Sequence, residues 1–525
     1  MSLFSKGNLT KPFSSWVGLY CICLYAINVA AFVNQMTGTP LNPQSNLDTS
    51  SRGGFSIRAI PTRLDRYSNS GKGFSTTGSS NLLKYVFAHV VQGNFQFYQA
   101  QDWSEDMALA KAMGIDAFAI NIGRDKTNQK QLPLIYEVAE RISFGVFISF
   151  DMGYYGQNNS SEDIISLIKT YAFRKGQFHY QGKPLVATSS GEVKGTFLDN
   201  NPNFDAAWSN LKKRLGFQIY FLPCWTGYKP SQASSVDGLL SWDAWSSLPS
   251  PDRSNFQQLR AVGKQYAAPI SPFFYKHLSA DESGNYIYPT DSWYMIEKYL
   301  DIISFSPDFV ELLSWNNFGE SHYLRDPRPS ANLPFGTISS EKYVVGMPHE
   351  PFLNMISYFN LWYKSGSRPP VNRSKAYVWY RPHAKNDIAT SDKLPMPKSA
   401  NKTEDKIYVF LMISPSRQAS RIALKTGSKS YETPLTEFYS NAKNDVLLLV
   451  SAPFAPGNEQ SLEIFDIENR SVGLLKVPLF TSTIHSNLFP LQSLRPVNYK
   501  PQIRIKTHLL TMGDTRGQWR LYLCS

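Results

Sequence analysis

Acidic side chains follow short apolar runs at several points in the middle of the chain. The four that stand out are Asp151, Glu192, Asp243 and Glu320. One carboxylic acid and one carboxylate that flank a sugar bond can hydrolyse it, because the acid protonates the leaving oxygen while the carboxylate activates water or attacks the sugar. These residues make glycoside hydrolysis the first chemistry to consider.

Aromatic, amide and imidazole side chains accompany these carboxyl groups. Aromatic residues make up 14% of the chain, and their flat rings are surfaces on which sugar rings stack. The candidate sugar-binding residues combine ring platforms with hydrogen-bonding groups and are His89, Asn121, Glu192, Trp225, Trp242, Trp245, Tyr275, His277, Trp315, Asn316 and His322. Together with a carboxyl pair they would form a polysaccharide-binding cleft.

Each candidate also has a purely structural interpretation. A carboxylate after a strand often caps a helix or pairs with a basic side chain, and Asp151 and Asp243 fit that interpretation. The tryptophans could equally pack at a rim, and the histidines could be structural donors. Glu320 is the stronger candidate because it lies in a polar, glycine-containing loop beside Trp315 and His322.

Other functional classes lack their sequence signatures. The chain contains no His-Glu-x-x-His zinc motif, phosphate-binding loop, dinucleotide fingerprint or Gly-x-Ser-x-Gly elbow, so we predict no metal ion and no cofactor. The formal net charge is +12, but no run of five Lys or Arg residues occurs. We therefore predict no nucleic-acid partner.

The candidate residues need elements that bring them together, and the sequence predicts eight short strands alternating with helices. The strands are predicted at 85–90, 117–122, 145–150, 185–189, 218–222, 238–241, 268–271 and 309–314, and helices at 102–113, 161–173 and 351–364. Eight strand–helix units over about 280 residues fit a (β/α)8 barrel, whose active site lies at the carboxyl ends of its strands.

The predicted barrel occupies residues 84–368, and the flanking segments differ from it in composition. Residues 369–525 contain strand-like runs at 407–413, 446–450, 462–467, 472–477 and 503–510, which predict a β-sandwich-like accessory domain. The fold class is therefore α/β, a barrel followed by an all-β domain. Residues 34–83 are rich in Ser, Asn, Gly and Thr and predict a flexible spacer.

The first 33 residues have the pattern of a targeting segment. Lys6 and Lys11 precede an apolar stretch at 16–33, which contains small residues at 29–31. This pattern predicts a signal peptide, and the length of the stretch leaves an uncleaved membrane anchor as the alternative. Both interpretations place the rest of the chain outside the cytosol.

The cysteine and asparagine patterns are compatible with the secretory pathway. Cys21 and Cys23 lie in the leader, so Cys224 and Cys524 would remain, either as a bridge or as two thiols. Acceptor triplets for N-glycosylation begin at Asn158, Asn159, Asn372, Asn401 and Asn469. The sequence makes no prediction about the oligomeric state.

Several segments around the candidate residues resemble the fungal α-1,3-glucanases, or mutanases, of glycoside hydrolase family 71. In chain order these segments are 86–89, 114–121, 149–152, 241–245, 271–275, 314–323, 346–349 and 379–383. The resemblance implies a barrel with a β domain, α-1,3-glucan as the partner, and endo-hydrolysis with inversion of configuration in the fungal cell wall.

One position departs from the family pattern. The resemblance implies an Asp-x-x-Glu pair in the loop after the eighth strand, supplying base and acid, and this chain has Asn317 in place of the Asp. An amide cannot accept a proton at useful pH. Either Glu320 is the acid and Asp151, Asp243 or Glu192 is the base, or hydrolysis is impaired. A carboxylate at position 317 would also raise the pKa of Glu320. Without this negative charge, Glu320 is protonated less often at neutral pH and is a weaker acid candidate.

Three functions follow from these observations. The first is an α-1,3-glucan hydrolase, and the second is a catalytically impaired wall protein that binds the same glucan. The third is a basic structural protein of the wall, in which the net charge of +12 matters more than any pocket.

Overall fold

The computed structural model describes most of the chain between residues 50 and 477. The described residues are 50–52, 54–61, 83–156, 160–227, 233–290, 292–381, 383–387, 392–415, 419–435, 438, 445–455, 460–477 and 520–524. The predicted leader and the strand predicted at 503–510 lie outside them. Within the described residues, no helix is long and apolar enough to cross a membrane.

Two strands lie within the segment predicted to be a flexible spacer. They are β1 (Ser50–Arg52) and β2 (Phe55–Ala59), which pair with each other in antiparallel fashion. In β2 the apolar Phe55 and Ile57 are buried and alternate with more exposed polar residues, which is the period of a strand with one buried face. The prediction of a continuous spacer over 34–83 is therefore wrong for these residues.

Eight parallel strands close into a barrel, as predicted. Each strand pairs with the next in sequence, and the eighth pairs with the first. The barrel strands are β3 (Tyr85–Val91), β4 (Ala117–Ile122), β5 (Gly145–Asp151), β7 (Lys183–Ser189), β8 (Tyr220–Cys224), β9 (Gly238–Leu240), β10 (Gln265–Ile270) and β13 (Phe309–Leu312). All eight predicted strands are confirmed, with shifts of a few residues at their ends.

Three short strands accompany the barrel. β6 (His179–Tyr180) pairs in antiparallel fashion with the start of β7. β11 (Phe274–His277) and β12 (Asn285–Tyr288) form an antiparallel hairpin that follows the seventh barrel strand. Because it lies at the carboxyl end of that strand, this hairpin stands where barrel enzymes place their catalytic loops.

The interior of the barrel changes from apolar to polar along its strands. Successive side chains on a strand point to opposite faces. The apolar interior is formed by Phe87, Ala117, Ala119, Phe147, Leu185, Ala187, Tyr220, Leu222, Cys224, Leu240, Ala267 and Phe309. The next inward positions toward the carboxyl ends are His89, Asn121, Asp151, Trp242 and Glu311. The strand period therefore directs polar groups toward one mouth of the barrel.

Nine helices occur in the described part of the chain, most of them covering the barrel strands. They are α1 (Ala100–Ala112), α2 (Asn128–Ile142), α3 (Met152–Tyr155), α4 (Ser160–Tyr171), α5 (Phe204–Leu215), α6 (Asp252–Ala261), α7 (Tyr294–Phe305), α8 (Glu341–Val344) and α9 (Glu350–Ser365). The predicted helices correspond to α1, α4 and α9. Helix α9 has a proline in its first turn and ends at Gly366, whose φ of 67° suits glycine.

The C-terminal strands form two sheets that share an apolar core. The strands are β14 (Lys375–Tyr380), β15 (Lys406–Ile413), β16 (Ala419–Thr426), β17 (Lys429–Pro434), β18 (Val446–Pro453), β19 (Gln460–Asp466), β20 (Ser471–Val477) and β21 (Arg520–Cys524). One sheet has the order β1-β2-β18-β15-β14-β21 and the other β17-β16-β19-β20. Side chains from both sheets pack together, so the predicted β domain is confirmed.

The larger sheet is buried on both of its faces. One face packs against the smaller sheet, and the other packs against the barrel helices. Phe359 of α9 lies 5.8 Å from Phe410 of β15, measured between ring centroids. The accessory domain therefore continues the apolar core of the barrel.

Candidate active site

The loop after the eighth strand surrounds Glu320 with hydrogen-bonding nitrogens. Glu320 ends a short helical turn (Phe318–Glu320), and the residue is 4% exposed. Its Oε1 lies 3.1 Å from Nζ of Lys276. Its Oε2 lies 2.9 Å from Nδ2 of Asn317 and 3.0 Å from Nε2 of His322. Donors on both oxygens stabilise the ionised form of a carboxyl group.

The electrostatic environment makes Glu320 a carboxylate at neutral pH. Burial alone would raise its pKa, but the charge of Lys276 and the hydrogen bond with His322 outweigh burial and lower the pKa to about 2. The lowered pKa favours a charged Glu320 in the resting protein, whereas the acid role predicted from the sequence needs the protonated form.

Lys276 is a functional candidate that the sequence analysis did not select. It lies in β11 and is 4% exposed, so its ammonium group depends on the ion pair with Glu320. Lysines are rarely buried without a partner. A lysine within the aromatic run 273–277 was the signal that could have identified it.

Asp243 and Glu320 lie near the same tyrosine. Asp243 follows β9 and is half-buried, and burial raises the pKa of its carboxyl group despite the opposing charge of Lys298. Burial, followed by the negative charges of Glu320 and Asp243, raises the pKa of Tyr288 to about 12. Tyr288 of β12 is thus within electrostatic reach of both carboxyl groups, and sequence reasoning also missed it.

Aromatic rings line this part of the mouth. Trp245 stacks on Tyr288 with ring centroids 5.4 Å apart, and its ring lies 5.2 Å from that of His322. The half-buried Trp242 lies edge-on to His89 at 4.9 Å. The structure therefore brings Trp242, Trp245 and His322 together near Glu320.

A second group of polar side chains lies deeper, at the carboxyl ends of the first three strands and the eighth. Nδ1 of His89 lies 3.0 Å from Oε1 of Glu311, a strand residue that is 1% exposed. Asp151 accepts a hydrogen bond from the backbone of Gly153, and burial raises the pKa of Asp151 to about 6. Nδ2 of Asn121 donates to the hydroxyl of Ser189.

Glu192 connects two neighbouring loops of the mouth. Its Oε1 accepts a hydrogen bond from the backbone nitrogen of Thr226 at 3.1 Å, and the residue is half-buried. This contact joins the loops after the fourth and fifth strands. In the described part of the chain, no group of three His, Cys, Asp or Glu side chains is arranged to hold a metal ion.

Two predicted sugar platforms point away from the mouth. Trp225 is 1% exposed and packs edge-on against Phe204 of α5. Trp315 is fully buried, and its indole nitrogen donates to Asp106 of α1 at 3.0 Å. Neither ring offers a face to a ligand, because both lie between the barrel and its helices.

Three further predicted residues are engaged in local structure. Asn316 exchanges two hydrogen bonds with the backbone of Val91. His277 lies between Asn285 and Asp392, and Tyr275 is buried against other rings. These residues hold the loops in place instead of lining the mouth.

A closed (β/α)8 barrel with a buried carboxylate and a second carboxyl group at the carboxyl ends of its strands has the architecture of a glycoside hydrolase. Residues 83–472 match Glycosyl hydrolase family 71. The chain belongs to this family.

Two named relatives are similar to this chain over about two thirds of its length. A glucan endo-1,3-alpha-glucosidase of Schizosaccharomyces pombe is 35% identical over 360 residues, covering 66% of this chain and 82% of the relative. A mutanase of Penicillium rubens is 34% identical over 356 residues, covering 65% and 75%. Among solved structures, the GH99 endo-alpha-mannosidase of Bacteroides thetaiotaomicron covers 54% of this chain and 98% of its own at 11% identity, with a TM-score of 0.41.

Proposed function

We propose that the protein hydrolyses α-1,3-glucan by endo cleavage with inversion of configuration. The carrying observation is the buried Glu320 carboxylate, which lies near Tyr288 together with the less acidic Asp243. Membership of family 71 and the names of the relatives support the substrate. The half-buried Trp242 supplies an aromatic surface at the same mouth.

The two carboxyl groups suggest roles opposite to those expected from the sequence. Asp243, whose pKa is raised by burial, is the group that would give a proton to the glycosidic oxygen. Glu320, already charged, takes a proton from the attacking water. The water oxygen bonds to the anomeric carbon from the face opposite the leaving sugar, and the C–O bond to that sugar breaks.

A second function is favoured by Asn317. Its amide nitrogen donates to Oε2 of Glu320, at the position where the family pattern has a carboxyl group. With Lys276 and His322 also in contact, the carboxylate has few lone pairs left for water. A protein of this kind would bind α-1,3-glucan and cleave it slowly or not at all.

We also propose that the protein acts outside the cytosol, in the fungal cell wall. The charged and apolar pattern at 1–33 supports export. The alternative is an anchored protein with its domains outside the membrane, and fractionation of culture medium, wall and membranes distinguishes the two.

The assay is the release of reducing ends from purified α-1,3-glucan by the wild type and by Asn317→Asp. We expect release by the wild type, and at least about tenfold faster release by the variant, because a second carboxylate raises the pKa of Glu320 and adds a base. Proton NMR of the first product distinguishes inversion from retention. If both proteins sediment with the glucan and release no sugar, the hydrolase proposal fails and the binding function stands.

A further inference from the structure

Lys276 contacts Glu320 from a different element than the other two donors. Asn317 and His322 belong to the same loop as Glu320, whereas Lys276 belongs to the hairpin β11–β12. The ion pair Lys276–Glu320 therefore connects the loops after the seventh and eighth strands. Among the described residues, Glu320 is the carboxylate that pairs with this lysine.

The hairpin that carries Lys276 is fixed by residues 392–398, here called the strap. Nδ1 of His277 lies 2.6 Å from Oδ1 of Asn285, and its Nε2 lies 3.1 Å from Oδ2 of Asp392. The amide of Asn285 donates to the carbonyl of Pro395. The backbone of Lys398 exchanges hydrogen bonds with the hairpin. The ammonium group of Lys276 is therefore held in place by elements beyond the loop that it contacts.

The groups that act on Glu320 come from several elements. Lys276 and His322 stabilise its negative charge, and Tyr288 of β12 lies within electrostatic range of both Glu320 and Asp243. Tyr343 of α8 donates its hydroxyl hydrogen to the carbonyl of Gly319, directly before Glu320. Of the groups that lower the pKa of Glu320, Lys276 has the largest influence through its charge.

We propose that Lys276 is a positioning residue: its ion pair with Oε1 of Glu320 fixes this carboxylate between the hairpin β11–β12 and the loop after the eighth strand, and stabilises its negative charge. The kinetic effect expected from this inference rests on the proposed function. The charge of Glu320, however, can be measured even if the protein releases no sugar. During the proposed reaction the proton from water goes to Glu320, and Lys276 takes no part in the proton transfer.

The test is the pH profile of sugar release in Lys276→Met, with the carboxyl titration of Glu320 as a second readout. Without the ammonium group, Glu320 holds its proton to higher pH. We expect the pH at which activity falls to half on the acid side of the profile to rise by at least about one pH unit, as a rise of one unit in the pKa of the base requires. Carbon-13 NMR of labelled glutamate, with Glu320→Gln to assign the signal, follows the same titration.

Three further variants separate charge from packing. Lys276→Arg keeps the charge and is expected to keep the profile of the wild type. Lys276→Gln keeps a hydrogen-bond donor without charge, and its pH profile and Glu320 titration are expected to shift in the same direction as in Lys276→Met. This variant provides the test if the methionine variant does not fold. Lys398→Met removes an exposed lysine of the strap, whose partner is Glu282, and is expected to change neither readout.

The outcomes separate this inference from the proposed function. If the Glu320 titration is unchanged in folded Lys276→Met and Lys276→Gln, the inference is overturned whether or not sugar is released. If no sugar is released by the wild type but the titration moves as expected, the hydrolase proposal fails and the role of Lys276 stands.

Discussion

The loop after the eighth strand and the end of the third strand each hold a desolvated carboxyl group, and their pKa values differ by several units. The pKa of Glu320 falls to about 2, because burial, the largest single influence, is outweighed by Lys276 and His322 together. The pKa of Asp151 rises to about 6, because burial is opposed only by one backbone hydrogen bond and a weaker influence of His89. Burial alone does not decide whether a carboxyl group is charged, because charged and hydrogen-bonding partners also shift its pKa.

The pKa of Asp243 is raised although a lysine lies beside it, and the contacts of that lysine explain why. Nζ of Lys298 lies 3.1 Å from Oδ2 of Asp252 and also donates to the backbone carbonyl of Asp243. Its charge is therefore shared with another carboxylate, whereas that of Lys276 goes to Glu320. The pKa of Asp243 stays raised although a lysine is nearby. Both lysines lower the pKa of the neighbouring carboxyl group, but Lys276 together with His322 outweighs burial at Glu320, whereas Lys298 does not outweigh burial at Asp243.

The largest effect is expected when Glu320, the charged carboxyl group, is replaced. Glu320→Gln abolishes the base, and general base catalysis contributes about 10²–10⁴-fold. We expect sugar release from α-1,3-glucan to fall by at least about 10³-fold, with glucan binding retained. Glu341→Gln, an exposed change in α8, is the matched control. Full activity in Glu320→Gln would remove Glu320 from the mechanism.

A smaller loss is expected when Asp243, the proposed acid, is replaced. Asp243→Asn lacks the proton for the leaving sugar, so we expect release from the polymer to fall about 10²-fold. A glucosyl fluoride needs no such proton, because fluoride leaves without one, and its hydrolysis should be nearly retained. Equal losses on the polymer and on the fluoride would show that Asp243 is not the acid.

The smallest effect concerns stability and tests Asp151. Its folded pKa of about 6 lies above the ordinary 3.8, so between these values the unfolded chain loses the proton first, and stability falls as pH rises. We expect Asp151→Asn to melt like the wild type below pH 4 and to be more stable above pH 6, by up to about 3 kcal/mol. Melting curves at pH 4 and pH 7 measure this. If Asp151→Asn is more stable than the wild type at both pH values, the raised pKa of Asp151 is contradicted.

The barrel could be predicted from sequence because its strands are short apolar runs bounded by turns. Strands buried on both faces, such as Ala117–Ile122, are apolar at every position and therefore easy to find. Because every position in such a strand is apolar, the sequence pattern does not show which residues point inward. Trp225 and Trp315 follow such runs and turn out to face the helices, although their positions alone suggested the mouth.

The site could be predicted in part. Glu320, Asp243, Trp242, Trp245 and His322 come together as expected from their positions after strands. Lys276 and Tyr288 could not be found in this way, because they lie in a hairpin inserted after the seventh strand. Their importance depends on long-range contacts with Glu320, which local patterns do not encode. Strand β2 was missed for the same reason, since its pairing partner lies in the C-terminal domain.

The pairing of β2 with β18 also sets an order of events during synthesis. Ile57 pairs with Val450, so β2 leaves the ribosome about 390 residues before its partner exists. At about 5–20 residues per second, this strand waits for about 20–80 s. The barrel can form during that interval, but its aromatic outer face around Phe359 stays uncovered until the larger sheet arrives. The two domains therefore mature together, in the last stage of translation.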